Sequence, residues 1–183
     1  MTRYIALLRG INVGGKNKIS MPELKVAFEN LGFKNVLTYI NSGNVIFDSE
    51  LNAIDAKTAC ENTIKTKFEL DIPVGIITAS ELQETLSNVP KWWGENTEAK
   101  HNAIFVIAPM TAVQVCKHIG EFKPEYESIA CCGEVIFWSA PLETFSRTRL
   151  TKVVSEKMLY NAITVRNANT TKKLLELAKG GLL

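Results

Sequence analysis

Residues 35–48 read Asn35-Val36-Leu37-Thr38-Tyr39-Ile40-Asn41-Ser42-Gly43-Asn44-Val45-Ile46-Phe47-Asp48, which places a polar turn between two runs that contain β-branched residues. Asparagine and glycine accept the positive φ values that a tight hairpin turn demands. The stretch therefore predicts a β-hairpin with strands over 35–40 and 44–48.

The segments on either side of this hairpin predict further elements of the same unit. Ser20-Met21-Pro22-Glu23 has the pattern of a capping box at a helix start, and Gly32 stands where a C-terminal cap is favoured. The flanking elements are a strand over 3–9, a helix over 21–31, a helix over 52–68 and a strand over 73–78. Together with the hairpin they follow the order β-α-β-β-α-β.

The second part of the chain repeats this order of elements. A short helix opens at Ser80, and a polar stretch with proline and glycine follows it. The later elements are strands over 103–108, 127–132, 134–139 and 162–166, and helices over 111–119, 144–159 and 170–179. We predict an α+β fold of two ferredoxin-like βαββαβ halves in tandem with an additional C-terminal helix. The predicted domains are 1–88 and 102–183, joined by a connection at 89–101.

The composition is that of an ordinary globular protein. The 183 residues are 46% hydrophobic and 22% charged, and no apolar run approaches the roughly 20 residues that a membrane-spanning helix needs. The sequence begins directly with a predicted strand and without the pattern of a secretory leader. We therefore expect a cytoplasmic protein with no membrane partner.

The cysteines and histidines do not have the spacing of a metal site or a disulfide framework. The four cysteines form no C-x-x-C pair, and Cys116-Lys117-His118 is the one short Cys/His pairing. A structural zinc site usually needs four ligands arranged as two such pairs. We expect reduced, mostly buried thiols, no metal, no cofactor and no disulfide-linked partner.

Charge is distributed unevenly along the chain, although the net value is only +2. Residues 1–20 carry +4 and residues 145–183 carry +6, whereas the middle of the chain carries −8. If the two ends meet, they form a basic surface on an otherwise acidic protein, which is typical of a local anion site.

The first candidate site follows the predicted strand 3–9. Gly10-Ile11-Asn12-Val13-Gly14-Gly15-Lys16 matches the first seven positions of the nucleotide-binding P-loop, but Asn17 stands where serine or threonine would hold Mg²⁺. The helix signal also starts late, at Ser20, so its positive end would not meet the phosphates. A looser anion loop of backbone N–H groups and a lysine stays open, beside the alternative of a solvated strand-to-helix loop.

The second candidate site spans 164–173, where a strand again ends at an arginine. Asn167 or Asn169 can cap the terminal helix, whereas Lys172 and Lys173 are cations near a helix start, where they are disfavoured. Capping alone, or an anion that compensates these charges, would explain the segment.

The remaining patterns identify no reaction. A cationic stretch at 146–152 is interpreted as the solvated face of an amphipathic helix. The inward residues of that helix would be Leu150, Val153, Val154 and Met158. The chain lacks G-x-S-x-G and H-E-x-x-H, so enzyme activity stays unassigned.

Three segments carry a resemblance to a known family. They are Leu7-Leu8-Arg9-Gly10-Ile11-Asn12-Val13-Gly14-Gly15, Tyr39-Ile40-Asn41-Ser42-Gly43-Asn44-Val45 and Arg166-Asn167-Ala168-Asn169-Thr170. In this order they resemble the bacterial family called domain of unknown function 1697, over essentially the whole chain. The resemblance implies a small cytosolic protein with a two-part α+β fold related to the ferredoxin-like type. The family usually has an aromatic residue where this chain has Ala168, which implies a changed contact there.

The expected function is the binding of a phosphate-bearing ligand, a nucleotide-like molecule or RNA, in a basic cleft between the two halves. Two alternatives stay open. One is a small-molecule transferase or hydrolase that uses the same pocket as a phosphate anchor, and the other is a protein-interaction module whose motifs are purely architectural. The candidate ligand-binding residues are Arg9, Gly10, Asn12, Gly14, Gly15, Lys16, Ser42, Asn44, Arg166, Asn167 and Asn169.

Overall fold

A computed structural model describes residues 1–153 and 156–180, with the side chains of Val153, Lys157 and Met158 outside the description. The fold is α+β and contains two four-stranded antiparallel sheets. The chain divides into two compact units, one formed by Met1–Gln83 with the chain from Lys173 onward, the other by Glu84–Lys172. Within the described ranges, no helix has the length and apolarity that crossing a bilayer requires.

The first sheet has the strand order β2-β3-β1-β4. Its strands are β1 (Thr2–Leu8), β2 (Lys34–Tyr39), β3 (Asn44–Ser49) and β4 (Val74–Thr78), and the helices of this part of the chain are α1 (Met21–Asn30), α2 (Ala53–Phe68) and α3 (Ala79–Ser87). The predicted hairpin is confirmed, because Tyr39 pairs with Asn44 and leaves residues 40–43 as the turn.

The local signals around α1 act as the sequence indicates. Ser20 caps the helix by accepting from the backbone N–H of Glu23, and Gly32 follows the helix end with φ +86°. The apolar face of the helix packs into an aromatic core, in which the rings of Phe33 and Phe47 stack with centroids 4.2 Å apart and Phe28 lies edge-on to both. Burial of these rings adds to the hydrophobic stabilisation of the unit.

The second sheet has the order β6-β7-β5-β8. Its strands are β5 (Ala99–Val106), β6 (Ser128–Cys132), β7 (Val135–Pro141) and β8 (Ile163–Asn167). The helical elements are α4 (Ala112–Ile119), a 3-10 turn (Phe145–Arg147), α5 (Arg149–Val153), α6 (Lys157–Tyr160) and α7 (Ala168–Lys179). Strand β5 begins four residues before the predicted 103–108, within the stretch predicted as the connection.

The single helix predicted over 144–159 is wrong. The chain forms the 3-10 turn, turns extended at Thr148 and starts α5 at Arg149, where the buried carboxylate of Glu127 accepts from the N–H groups of Arg149 and Leu150 at 2.8 and 3.3 Å. This carboxylate caps a new helix start and so interrupts the predicted one. Leu150 is buried as predicted, whereas the predicted inward side chains of Val153, Val154 and Met158 lie outside the described residues.

The four thiols are unpaired but less buried than expected. Only Cys60 is fully buried, and burial raises the pKa of its thiol well above the usual range. Cys131 is exposed, and its Sγ lies 2.8 Å from the Sγ of Cys116. Burial, together with the contact to Cys131, raises the pKa of Cys116 to about 12. At neutral pH the Cys60 and Cys116 thiols are protonated and are therefore weak nucleophiles.

Candidate ligand-binding loop

The loop between β1 and α1 is held at its base by the side chain of Asn12. The amide Nδ2 donates to the carbonyls of Ile19 and Asn41 at 3.0 and 2.9 Å, and Oδ1 accepts from the N–H of Ile19 at 2.9 Å. One side chain thus joins the two ends of the loop and ties them to the hairpin turn. Asn12 has φ +54°, a backbone conformation that asparagine tolerates better than most residues.

The outer part of the loop is a tight turn that a second asparagine supports. Asn17 donates its amide to the carbonyl of Gly10 at 3.0 Å, and the N–H of Lys16 bonds to the carbonyl of Val13 at 3.1 Å. Gly14 and Gly15 at the tip have φ +58° and +77°, as the two central residues of a type I′ turn require. We call this exposed tip, Val13 to Lys16, the cationic turn.

The cationic turn is not a P-loop. The next helix begins at Met21, four residues after the position where a P-loop helix would start. In its first turn the N–H of Glu23 bonds to the side chain of Ser20. At the position where a P-loop has its magnesium-binding hydroxyl, Asn17 instead bonds to the loop backbone.

The basic side chains of the first twenty residues have different environments. Arg3 is 9% exposed and bonds through Nη1 to Asp48 at 3.1 Å, so its charge is compensated within the fold. Arg9 is half-buried, and its backbone N–H bonds to the carbonyl of Pro73. Lys16 and Lys18 are exposed, and in the described part of the chain no carboxylate lies within 4 Å of their ammonium groups. Lys16 and Lys18 are therefore the most accessible basic side chains of this region.

The hairpin turn at 40–43 places two further candidate residues in structural roles. Asn44 is fully buried, and its Nδ2 donates to the carbonyl of Tyr39 at 2.9 Å and to Ser42 Oγ at 3.1 Å. Gly43 lies against β1, where its carbonyl accepts from the N–H of Leu8 at 2.8 Å. The Ser42 and Asn44 side chains thereby fix the turn that packs beside the cationic loop.

The C-terminal motif lies in the second unit. Arg166 is 7% exposed, and its Nη1 donates to Thr164 Oγ1 and to the carbonyl of Val165, both at 2.9 Å. Asn167 caps α7 by accepting from the N–H of Thr170 at 2.8 Å, and Asn169 is exposed in the first turn of that helix. This cap explains why α7 begins at Ala168, two residues before the predicted start.

Ala168 is buried beside the segment that contains Trp93 and Gly94. A Cβ at Gly94 would lie 3.6 Å from the Cβ of Ala168 and 2.9 Å from Lys172 Nζ. Trp93 itself is fully buried, and its Nε1 donates to the carbonyl of Asn102 at 2.8 Å. Position 168 is thus a buried helix position close to Gly94, occupied in this chain by a small side chain.

The candidate residues predicted from the sequence do not include Asn17 and Gly43, although both help to shape the two turns. Asn17 stands out in the sequence only as a departure from the P-loop pattern, and its bond to Gly10 depends on the closed loop. Gly43 reads as an ordinary turn glycine, although a Cβ there would lie 2.7 Å from Leu8 Cβ. The contact joins the hairpin turn to β1, which is distant along the chain, so local sequence carries no signal for it.

Comparison with known proteins assigns the chain to a family. The profile of a protein family of unknown function, DUF1697, matches residues 1–137, and the chain belongs to this family. A search of curated proteins finds no match. Among solved structures, the chain is similar to the conserved bacterial protein SP0830 from Streptococcus pneumoniae. The two share 30% identity with a TM-score of 0.87, over 97% of this chain and 98% of the other.

Proposed function

We propose that the protein binds a phosphate-bearing ligand, either a nucleotide-like molecule or RNA, through the cationic turn and Lys18. The observation that carries the proposal is an exposed turn with Lys16 and two positive-φ glycines, followed by the exposed Lys18 and braced by the side chains of Asn12 and Asn17. A braced loop loses little conformational entropy on binding, and lysine ammonium groups bind phosphate as point charges.

The local sequence supports the same class of ligand. Residues 1–20 contain four basic residues and no aspartate or glutamate, so the segment that forms the turn contributes only positive charge. The open space around Gly14 and Gly15 also favours close approach, because a Cβ at either position would have no neighbour within 4 Å. Arg9 and Arg166 remain proposed phosphate contacts, each tested by substitution with lysine, which keeps the charge but removes the bidentate fork.

The proposal also includes the fold type of each unit and the cellular location of the protein. We infer that each sheet with its helices is a ferredoxin-like unit, because the strand orders β2-β3-β1-β4 and β6-β7-β5-β8 correspond position by position. The free cysteines fit a reducing compartment and support the proposed cytoplasmic location.

A protein-interaction module with architectural motifs is the second candidate function. It is favoured by the amide groups of Asn12, Asn44 and Asn167, which all bond to backbone atoms and so have structural roles. Under this alternative, loss of these amides lowers stability and no phosphate compound stabilises the fold.

Thermal-shift and binding titrations separate the two candidates. We expect inorganic pyrophosphate, ATP or a short single-stranded RNA to raise the melting temperature of the wild type, because a ligand that binds only the folded state stabilises it. Lys16→Ala should weaken the affinity roughly tenfold, the effect of losing one charge-assisted contact. Lys34→Ala is the matched control, since Lys34 is also an exposed lysine of the first unit.

Salt dependence then distinguishes the two ligand classes. RNA binding should weaken steeply between low and moderate salt, because each phosphate contact releases counterions, whereas a small nucleotide gives a shallower slope. An absence of any shift with all three compounds, or an equal loss of affinity in Lys34→Ala, would contradict phosphate binding at this turn.

A further inference from the structure

A cavity of about 440 Å³ lies in the second unit, beside the strands β5 and β7. Its lining includes the side chains of Trp92, Glu95, His101, Glu125, Tyr126 and Ser139. None of these residues belongs to the phosphate-binding proposal, and the cavity is lined by residues of the second unit alone.

Ser139 and His101 form a hydrogen-bonded pair at the wall of this cavity. They stand directly opposite each other in the pairing of β5 with β7, and Ser139 Oγ bonds to His101 Nδ1. Ser139 is 8% exposed and His101 is half-buried. Both residues belong to the cavity lining, so a compound in the cavity would lie beside the pair. A hydroxyl within hydrogen-bond reach of an imidazole is the basic unit of nucleophilic serine chemistry.

The hydrogen bond of the second imidazole nitrogen determines which ring nitrogen carries the hydrogen. His101 Nε2 lies 2.8 Å from the carbonyl oxygen of Asn96, which can only accept a hydrogen bond. In the neutral ring Nε2 therefore carries the hydrogen and Nδ1 is the acceptor, so Ser139 Oγ–H donates to Nδ1. The carbonyl of Asn96 thus orients the base, as the third member of a catalytic triad does.

Buried Glu127 supports the wall of the cavity without a role in the chemistry. It is 3% exposed, and its oxygens accept from the N–H groups of Lys123, Arg149 and Leu150 and from Trp138 Nε1. These four donors satisfy the carboxylate. They also tie the segment before β6 to β7 and to the start of α5.

The charges at the cavity define the class of compound that would enter it. Glu95 and Glu125 are exposed acids in its lining, and Trp92 and Tyr126 add aromatic surface. Cations also lie at this surface, because Lys123 Nζ and Arg147 Cζ are 5.9 and 6.0 Å from the centre of the Tyr126 ring. Acidic and basic groups thus both border the cavity, which favours neutral compounds over charged ones of either sign. Its ligand class is therefore different from that of the cationic turn.

We propose that Ser139 is the nucleophile of an esterase-type activity toward neutral esters, with His101 as general base. Oγ of Ser139 forms a bond to the ester carbonyl carbon while its proton passes to His101 Nδ1. The carbon–oxygen bond to the alcohol then breaks, and the alcohol leaves with the proton from Nδ1. Water next attacks the acyl-serine, gives one proton to Nδ1 and releases the carboxylic acid, after which the proton returns to Ser139.

Covalent labelling tests the nucleophile directly. The full chain is incubated with phenylmethanesulfonyl fluoride, a neutral serine probe, and the adduct is located by peptide mass spectrometry. We expect one adduct at Ser139, none in Ser139→Ala, and labelling at least about tenfold slower in His101→Gln, because glutamine can hydrogen-bond but cannot act as the base. Ser128→Ala is the control, since Ser128 pairs opposite Ser139 on β6.

A second measurement, made on the wild type, tests the proposal even if a variant does not fold. In the wild type, labelling of Ser139 should slow as the pH falls, because a protonated imidazole cannot accept the serine proton. The proposal is overturned if the folded wild type gives no adduct at Ser139, or if labelling is unchanged in a folded His101→Gln or as the pH falls.

Discussion

The cationic turn and the hairpin turn at 40–43 both rely on glycine, but for different physical reasons. At Gly14 and Gly15 the φ values are positive and a Cβ would meet nothing within 4 Å. At Gly43 the φ value is +81°, and a Cβ would also lie 2.7 Å from Leu8 Cβ and 2.8 Å from Ile11 Cδ1. The first turn needs glycine for its backbone conformation, whereas the second also needs it for packing.

This difference separates structural from accessible residues in the two turns. Asn12 and Asn44 hold backbone groups and therefore act inside the fold, whereas Lys16 and the glycines beside it face solvent. One short stretch of sequence thus contains residues that build a loop together with residues that the loop presents. Substitutions at the two turns should separate these roles.

The largest effect is expected for Gly43→Ala. The new methyl group overlaps the side chains of Leu8 and Ile11, and the positive φ is unfavourable for alanine, so the free energy of unfolding should fall by about 3 kcal/mol. Chemical denaturation measures this change. A fall below about 1 kcal/mol, the cost of the φ value alone, would show that the packing contrast between the two turns is wrong.

Asn12→Ala should have the next largest effect, a loss of about 2 kcal/mol in the free energy of unfolding. The substitution removes both side-chain bonds to Ile19 and the bond to Asn41, and it places alanine at φ +54°. Asn41→Ala is the matched control, because Asn41 is exposed and contributes its backbone carbonyl to this network. Equal losses in both variants would mean that the amide of Asn12 does not brace the loop.

Local signals account for the parts of the fold that the sequence predicts well. The hairpin, the cap of α1 and Gly32 each depend on residues within a few positions of one another, so their meaning is visible in the chain. The interrupted helix after β7 depends on Glu127, which precedes Arg149 by 22 residues and meets it only in the fold. The helix propensities of residues 144–159 therefore give no sign that a distant carboxylate interrupts the helix.

The candidate site shows the same limit at the level of single side chains. An asparagine amide can bind a phosphate or brace a backbone with the same atoms, so the sequence marks Asn12 and Asn44 without giving their role. Ser139 and His101 illustrate the opposite case, because they are 38 residues apart and become neighbours only through the register of β5 and β7. Sequence spacing carries no signal for such a pair.

A smaller effect, about 1 kcal/mol, is expected for Gly15→Ala in the cationic turn. The methyl group has open space, so the cost comes from the φ value of +77° alone. Gly15→Asn should cost less than Gly15→Ala, because asparagine adopts the left-handed region more readily. Equilibrium unfolding of the two variants measures the difference, and a larger loss for asparagine would reveal packing at the tip.

The smallest change in stability is expected for Lys16→Ala, within about 0.5 kcal/mol of the wild type. The side chain is exposed, and no carboxylate in the described residues lies within 4 Å of its ammonium group, so its removal breaks no ion pair there. Unfolding and pyrophosphate titration of the same variant give stability and affinity together. A loss of affinity at unchanged stability would identify Lys16 as a residue that the loop presents to its ligand. A loss of stability above 1 kcal/mol would place it among the residues that build the loop.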